Sequence, residues 1–178
     1  PHCDGFENMH ENLALVNQSF PDKPILFTEG TVEAFSTDKY QYWPNAERYG
    51  FSMIRDFNRG TVGWTDWNLL LDQTGGPNHV SNFCFAPIHG DTSTGELIYT
   101  PTYYYIGHFS KFVGPDSVRI STSVSRNVVL ATSFLNPDGT MATIVMNKSN
   151  DSINYSFFLN DRQVDLIIPP RAMQTLVY

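Results

Sequence analysis

The chain has 178 residues, 41% hydrophobic and only 16% charged; this excludes a disordered chain and leaves length for one large domain or two small ones. A net charge of −7 argues against nucleic acid or an anionic membrane as partner, and no apolar run approaches the roughly 20 residues that span a bilayer. Cys3 and Cys84 are far apart and the five histidines show no ligand spacing, so neither a disulfide framework, a metal site nor a cofactor is expected.

The first residues, Pro1-His2-Cys3-Asp4, carry no initiator Met and no signal-type apolar segment, and read as an internal stretch of a longer protein. Asp4 and Glu7 form a capping box for a helix of about four turns, with Phe6, Met9, Leu13, Val16 and Phe20 at helical spacing. Pro21-Asp22-Lys23-Pro24 stops that helix and starts the apolar strand Ile25-Leu26-Phe27-Thr28-Glu29, closed by Gly30. A short strand ending in an acid and a glycine resembles a parallel barrel strand, where the chemistry sits at the handover to the loop.

A loop with Phe35, Tyr40, Tyr42 and Trp43 leads to a second helix, whose Ala46, Tyr49, Met53 and Phe57 share one face and whose stop is Asn58-Arg59-Gly60. Next comes Thr61-Val62-Gly63-Trp64-Thr65-Asp66-Trp67-Asn68, a second strand ending in polar and aromatic groups. Helix, strand, helix, strand with short connections is the order of an α/β repeat with parallel strands. By alternation Asp66 points away from Trp67, and a structural pairing with Arg48 or Arg55 is expected. Residues 69–98 read as a long irregular segment of the kind that serves function. Thr100 and Pro101 then cap an aromatic helix through Tyr104, Ile106, Phe109 and Phe112.

From about Asp116 short β-branched runs alternate with turn signals such as Asn136-Pro137-Asp138-Gly139, the pattern of an antiparallel sandwich. The domains are therefore drawn at 1–115 and 116–178. Sequons occur at Asn17, Asn147, Asn150 and Asn154, at a frequency that chance accounts for in a chain rich in Asn and Ser.

Four segments in order carry a resemblance: Phe27-Thr28-Glu29-Gly30, Val62 to Asn68, Gly75-Gly76-Pro77-Asn78, and Tyr105-Ile106-Gly107-His108-Phe109-Ser110-Lys111-Phe112. Together they resemble glycoside hydrolase family 30, the group of glucosylceramidases and β-1,6-glucanases. The resemblance implies the C-terminal part of a (β/α)8 barrel, strands 7 and 8 with their helices, followed by an antiparallel β-sandwich. It implies a retaining β-glycosidase in which Glu29 matches the nucleophile, Trp67 an aromatic lining the cleavage subsite, and Asn82 a polar residue of the loop beside the sugar. Thr31 stands where many members carry Cys.

Retention needs two carboxyl groups about 5–5.5 Å apart, one attacking the anomeric carbon and one protonating the leaving oxygen. The family's acid/base follows an Asn, and this sequence has no Asn-Glu dipeptide; Glu33, Glu47 and Glu96 qualify by residue type only. Two α/β units also fall short of the eight a barrel needs, so the rest of the barrel is expected upstream of Pro1. The expected partner is a β-linked carbohydrate or glycolipid, with no nucleic acid and no integral membrane segment. The expected location is secreted or periplasmic, or lysosomal in a eukaryote. The alternatives are a carbohydrate-binding module using its Trp and Tyr rings as platforms, or an accessory sandwich domain on a helical scaffold.

Overall fold

A computed structural model describes residues 7–78 and 80–178. The chain divides into two compact units, Pro1–Gly107 and His108–Tyr178. The capping box expected at Asp4 lies outside the described residues.

The first unit opens with α1 (Glu7–Ser19), β1 (Ile25–Gly30), the short β2 (Val32–Glu33), α2 (Trp43–Phe57) and β3 (Thr61–Asp66). β1 and β3 pair in parallel, so α2 is the crossover of a strand-helix-strand unit. α2 begins with Pro44 in its first turn and buries Ala46, Tyr49 and Met53 of the expected face together with Ile54, while Phe57 is only half-buried. It ends before Gly60, whose φ of +99° suits glycine and whose missing side chain admits the Asn17 amide of α1; a Cβ there would stand 2.3 Å from the Asn17 amide carbon.

α1 does not bury the expected stripe. Met9, Val16 and Phe20 stay exposed, while His10 is buried. The reason is a carboxylate on α2: buried Asp56 accepts from Ser52 Oγ at 2.9 Å and Trp64 Nε1 at 3.2 Å, and His10 Nδ1 lies 3.1 Å from its other oxygen. A buried charge requires such partners, and meeting that requirement sets the rotation of α1. Arg59 donates to Glu11 at 2.6 Å on the rim of the same contact.

Residues 69–98 are more ordered than their composition suggests, with β4 (Leu70–Asp72), β5 (Cys84–Phe85), β6 (Ile88–Gly90) and β7 (Leu97–Tyr99). β4 pairs in parallel with β6, β6 antiparallel with β7, and β5 antiparallel with β2. Polar side chains take the place of a longer ladder. Asp72 Oδ1 accepts from the Thr74 amide and hydroxyl and from the Gly76 amide, at 2.6–3.0 Å. His89 is fully buried against the Phe35, Tyr40 and Phe85 rings. The Ala86 amide donates to its Nε2 at 3.0 Å, so Nδ1 carries the proton and donates to the Asp72 carbonyl at 2.8 Å. Burial holds the ring's pKa below its ordinary 6.5, and both nitrogens are used by the neutral form.

α3 (Pro101–Ser110) starts at the expected proline. Thr100 does not cap it in the expected way; its hydroxyl donates back to the carbonyls of Ala86 and Pro87, fixing the chain before the helix.

In the second unit, β8 (Val118–Ile120), β9 (Val129–Leu135), β10 (Met141–Asn147) and β13 (Met173–Val177) form an antiparallel sheet in the order β13-β10-β9-β8. β11 (Ile153–Leu159) and β12 (Arg162–Ile168) form a hairpin. Val129, Ala131 and Val145 of the sheet meet Ile153 and Ile168 of the hairpin in a shared core, which makes the unit a sandwich. Gly139 closes the β9–β10 turn at φ +86°, with Asp138 accepting from Thr140. Asn147 is fully buried; its amide nitrogen donates to the Asp151 and Pro169 carbonyls and its oxygen accepts from Ser149. The folded chain therefore cannot be glycosylated there, whatever the sequon suggests. Among the described residues no helix is long and apolar enough to cross a membrane.

Candidate active site

The parallel strands β1 and β3 end differently, and the difference is set by one extra residue. Phe27 pairs with Trp64 and Gly30 with Asp66, so three steps along β1 match two along β3. The surplus is a bulge at Thr28-Glu29. Strict alternation would place Glu29 on the side of Phe27, whose ring stacks on Trp64 at 4.7 Å and faces α2. The bulge turns Glu29 to the opposite side, because Gly30 returns to the Trp64 side: a Cβ on Gly30 would stand 2.4 Å from Trp64 Cη2. Glu29 is exposed, and among the described residues no hydrogen bond or ion pair engages its carboxylate.

Trp67 follows Asp66 and, by the same alternation, shares the side of Glu29. Its ring is half-exposed at 51%. Its backbone N–H donates to the Gly30 carbonyl at 2.8 Å, extending the ladder one step past β3, and to Asp66 Oδ1 at 3.0 Å. Asp66 faces α2 and accepts from the Tyr49 hydroxyl at 2.8 Å. The expected partners Arg48 and Arg55 are not its partners. Tyr49 stands on the α2 face turned to β3 and is 95% covered, whereas Arg55 lies over the Phe51 ring. Desolvation pushes the Asp66 carboxyl from 3.8 up to about 6, against the two hydrogen bonds that favour its ionised form.

Asn82 lies on the loop between β4 and β5. Its amide donates to Glu33 Oε1 at 3.0 Å, so the loop is tied to the segment that follows the Glu29 strand. Asn78 organises that loop, accepting from the amides of Val80 and Asn82 and donating to the Asn82 carbonyl. Cys84, buried, donates its thiol to the Asn82 carbonyl at 3.4 Å, and burial pushes its pKa up, which makes it an unreactive thiol. Thr31, two residues after Glu29, turns its buried hydroxyl toward that thiol.

Beside Trp67 an open depression of about 380 Å³ is lined by Leu71, Pro77, Asn78 and Cys84. Register and alternation thus assign Glu29 and Trp67 to one sheet face, and Trp67 lines a depression. No hydrogen bond joins Glu29 to Trp67 or to Asn82, and Glu33 is engaged by Asn82. Sequence reading placed both strand ends but missed the bulge and the Tyr49–Asp66–Trp67 connection. A bulge has no local signature in Ile-Leu-Phe-Thr-Glu-Gly, and Tyr49 and Asp66 are far apart in the chain.

Comparison with known proteins bears on this arrangement. The family model described as "Glycosyl hydrolase family 30 TIM-barrel domain" matches residues 2–113, and "Glycosyl hydrolase family 30 beta sandwich domain" matches residues 116–176. The chain is 33% identical to putative glucosylceramidase 4 of Caenorhabditis elegans over 175 residues, 93% of this chain and 34% of that protein. The crystal structure of SrfJ from Salmonella typhimurium superposes with a TM-score of 0.91 at 34% identity, over 95% of this chain and 38% of that one. An endo-beta1,6-glucanase structure gives a TM-score of 0.79 at 27% identity, over 93% of this chain and 38% of that one. The chain spans 22–35% of the length of the curated relatives it matches. With both domain models matched in order across almost its whole length, the chain belongs to glycosyl hydrolase family 30.

Proposed function

We propose that this chain carries the nucleophile half of a retaining β-glycosidase site, with Glu29 attacking the anomeric carbon to form a covalent glycosyl-enzyme. The observation that carries the reading is the bulge: by its register a carboxylate without a side-chain partner among the described residues falls on the same sheet face as an exposed tryptophan. A nucleophile must be ionised and open to its substrate, and a solvated carboxylate at a strand end is both. Trp67 supplies a flat apolar face for a sugar ring, and Asn82 a polar group on the loop beside it. A module that only bound carbohydrate would need the ring and not the acid.

The partner acid/base comes from barrel elements outside residues 1–178, upstream of Pro1, and the barrel portion and sandwich correspond to residues 1–115 and 116–178. The β1–β3 pair, far short of eight barrel strands, and coverage of about a third or less of each relative support that reading. The substrate is a β-linked carbohydrate or glycolipid, glucosylceramide and β-1,6-glucan being the two classes that the relatives' names suggest. An exported or lysosomal location fits such a substrate.

The test is the stereochemistry of the reaction. Proton NMR of the first product released by the full-length protein from an aryl β-glycoside should show the β anomer. First release of the α anomer would refute a covalent intermediate. The 178-residue chain alone is expected to give no turnover; hydrolysis by it that is lost in Glu29→Gln would contradict the missing partner.

A further inference from the structure

Asp66 is a costly residue at its position. Its Oδ2 is buried with no hydrogen-bond partner among the described residues, and its charge is partly desolvated. Stability alone does not call for a carboxylate there, since an unpaired buried oxygen loses its hydration without return. What the residue does make is a junction. Oδ1 accepts from the Tyr49 hydroxyl of α2 and from the Trp67 amide, and that same amide donates to the carbonyl of Gly30, the residue after Glu29. One oxygen therefore ties the backbone that carries Trp67 to the helix, at the step where that backbone meets the one that carries Glu29.

The parallel ladder ends at Gly30 and Asp66. A lone hydrogen bond past the end of a ladder frays readily. Here the one N–H is shared between the Gly30 carbonyl and Asp66 Oδ1, and the second acceptor is anchored by a tyrosine 5% exposed and packed on Trp64 at a ring distance of 5.3 Å. We infer that Asp66 and Tyr49 are positioning residues of the glycosidase site, fixing the Trp67 ring relative to the Glu29 carboxylate by anchoring the Trp67 amide to α2 at the point where it meets the Gly30 carbonyl. The role requires an acceptor at Oδ1 and not a negative charge. Asparagine can fill it and alanine cannot. This inference rests on the assignment of Glu29 as nucleophile.

The experiment measures, in the full-length protein, the rate at which a fluorinated mechanism-based β-glucoside labels Glu29, together with KM and kcat per titrated site. Asp66→Ala should slow labelling and kcat by about 10–100-fold, the loss expected when a reacting group is misplaced by about 1 Å. Asp66→Asn should restore most of the rate, and Tyr49→Phe, which keeps the ring, should cost about fivefold, one hydrogen bond. A purely structural residue would lower the melting temperature and the titrated fraction while leaving the rate per site unchanged; that result in Asp66→Ala overturns the inference. Should Asp66→Ala fail to fold, Tyr49→Phe decides, and an unchanged labelling rate in it overturns the inference. Absence of label on Glu29 in an active unsubstituted protein is a different failure, that of the nucleophile assignment itself.

Discussion

The paired parallel strands β1 and β3 each deliver an acid near their C-terminal end, and the fold treats the two in opposite ways. Glu29 of β1 is turned by a bulge onto the open face and has no side-chain partner among the described residues. Asp66 of β3 stays on the helix side, partly desolvated and hydrogen-bonded by Tyr49 and by the Trp67 amide. Residue type does not assign roles to two such carboxylates; strand register does. The open acid is available to a substrate, and the tied one is available only to the protein.

Exchange of each acid for its amide tests that contrast, and the largest expected effect is chemical. Glu29→Gln in the full-length protein should lower kcat by about 10⁴-fold or more, the scale seen when a covalent nucleophile is removed. Its unfolding free energy should move by no more than about 0.5 kcal/mol, as for other exposed positions. Loss of stability without loss of activity would invert the two roles.

Next in size is a pH dependence. The Asp66 carboxyl rises from 3.8 in the unfolded chain to about 6 in the folded one, so the folded state favours the protonated form. Its contribution is fully present below about pH 3.8 and lost as pH rises through about 6, on the order of 3 kcal/mol across that window. Urea titrations at several pH values should show this slope in the parent chain and not in Asp66→Asn. An unchanged slope in the variant would show that Asp66 is not the group responsible.

Gly30→Ala attacks the bulge itself. Its Cβ would stand 2.4 Å from Trp64 Cη2, and displacing a ring stacked on Phe27 should cost about 2 kcal/mol of stability and reduce activity as well. A neutral substitution would mean that Trp64 does not hold the strand end in place. The smallest effect comes from His89, whose lowered pKa works in the opposite sense to Asp66. The neutral ring is the folded form, so its contribution is present above about pH 6.5 and lost as pH falls through the lower folded value. In Asp66→Asn, where the opposing slope is gone, stability should fall more steeply on acidification; a further exchange, His89→Gln, should flatten it.

Much of this was legible in the sequence for identifiable reasons. The α2 face, the Gly60 stop and the β9–β10 turn are written in local periodicity and turn chemistry, and so are the positions of Glu29 and Trp67 at strand ends. The rest depends on contacts between distant residues. α1 was misread because His10 answers to Asp56, 46 residues away, and a buried carboxylate outweighs an apolar stripe. The order in residues 69–98 was hidden because His89, Asp72 and Asn78 build it with side chains in a stretch that reads as plain loop. The direction of Glu29 was hidden too, since simple alternation puts it on the wrong face, and only the pairing of β1 with β3 reveals the extra residue.

The most direct measurement is the address of the covalent intermediate. After the full-length protein is inactivated with the fluorinated β-glucoside, digestion and fragment-ion sequencing should place the sugar on Glu29, within Ile25–Gly30. Sugar on Asp66, on Glu33 or on any other residue, or an active enzyme that takes no label, would contradict the account.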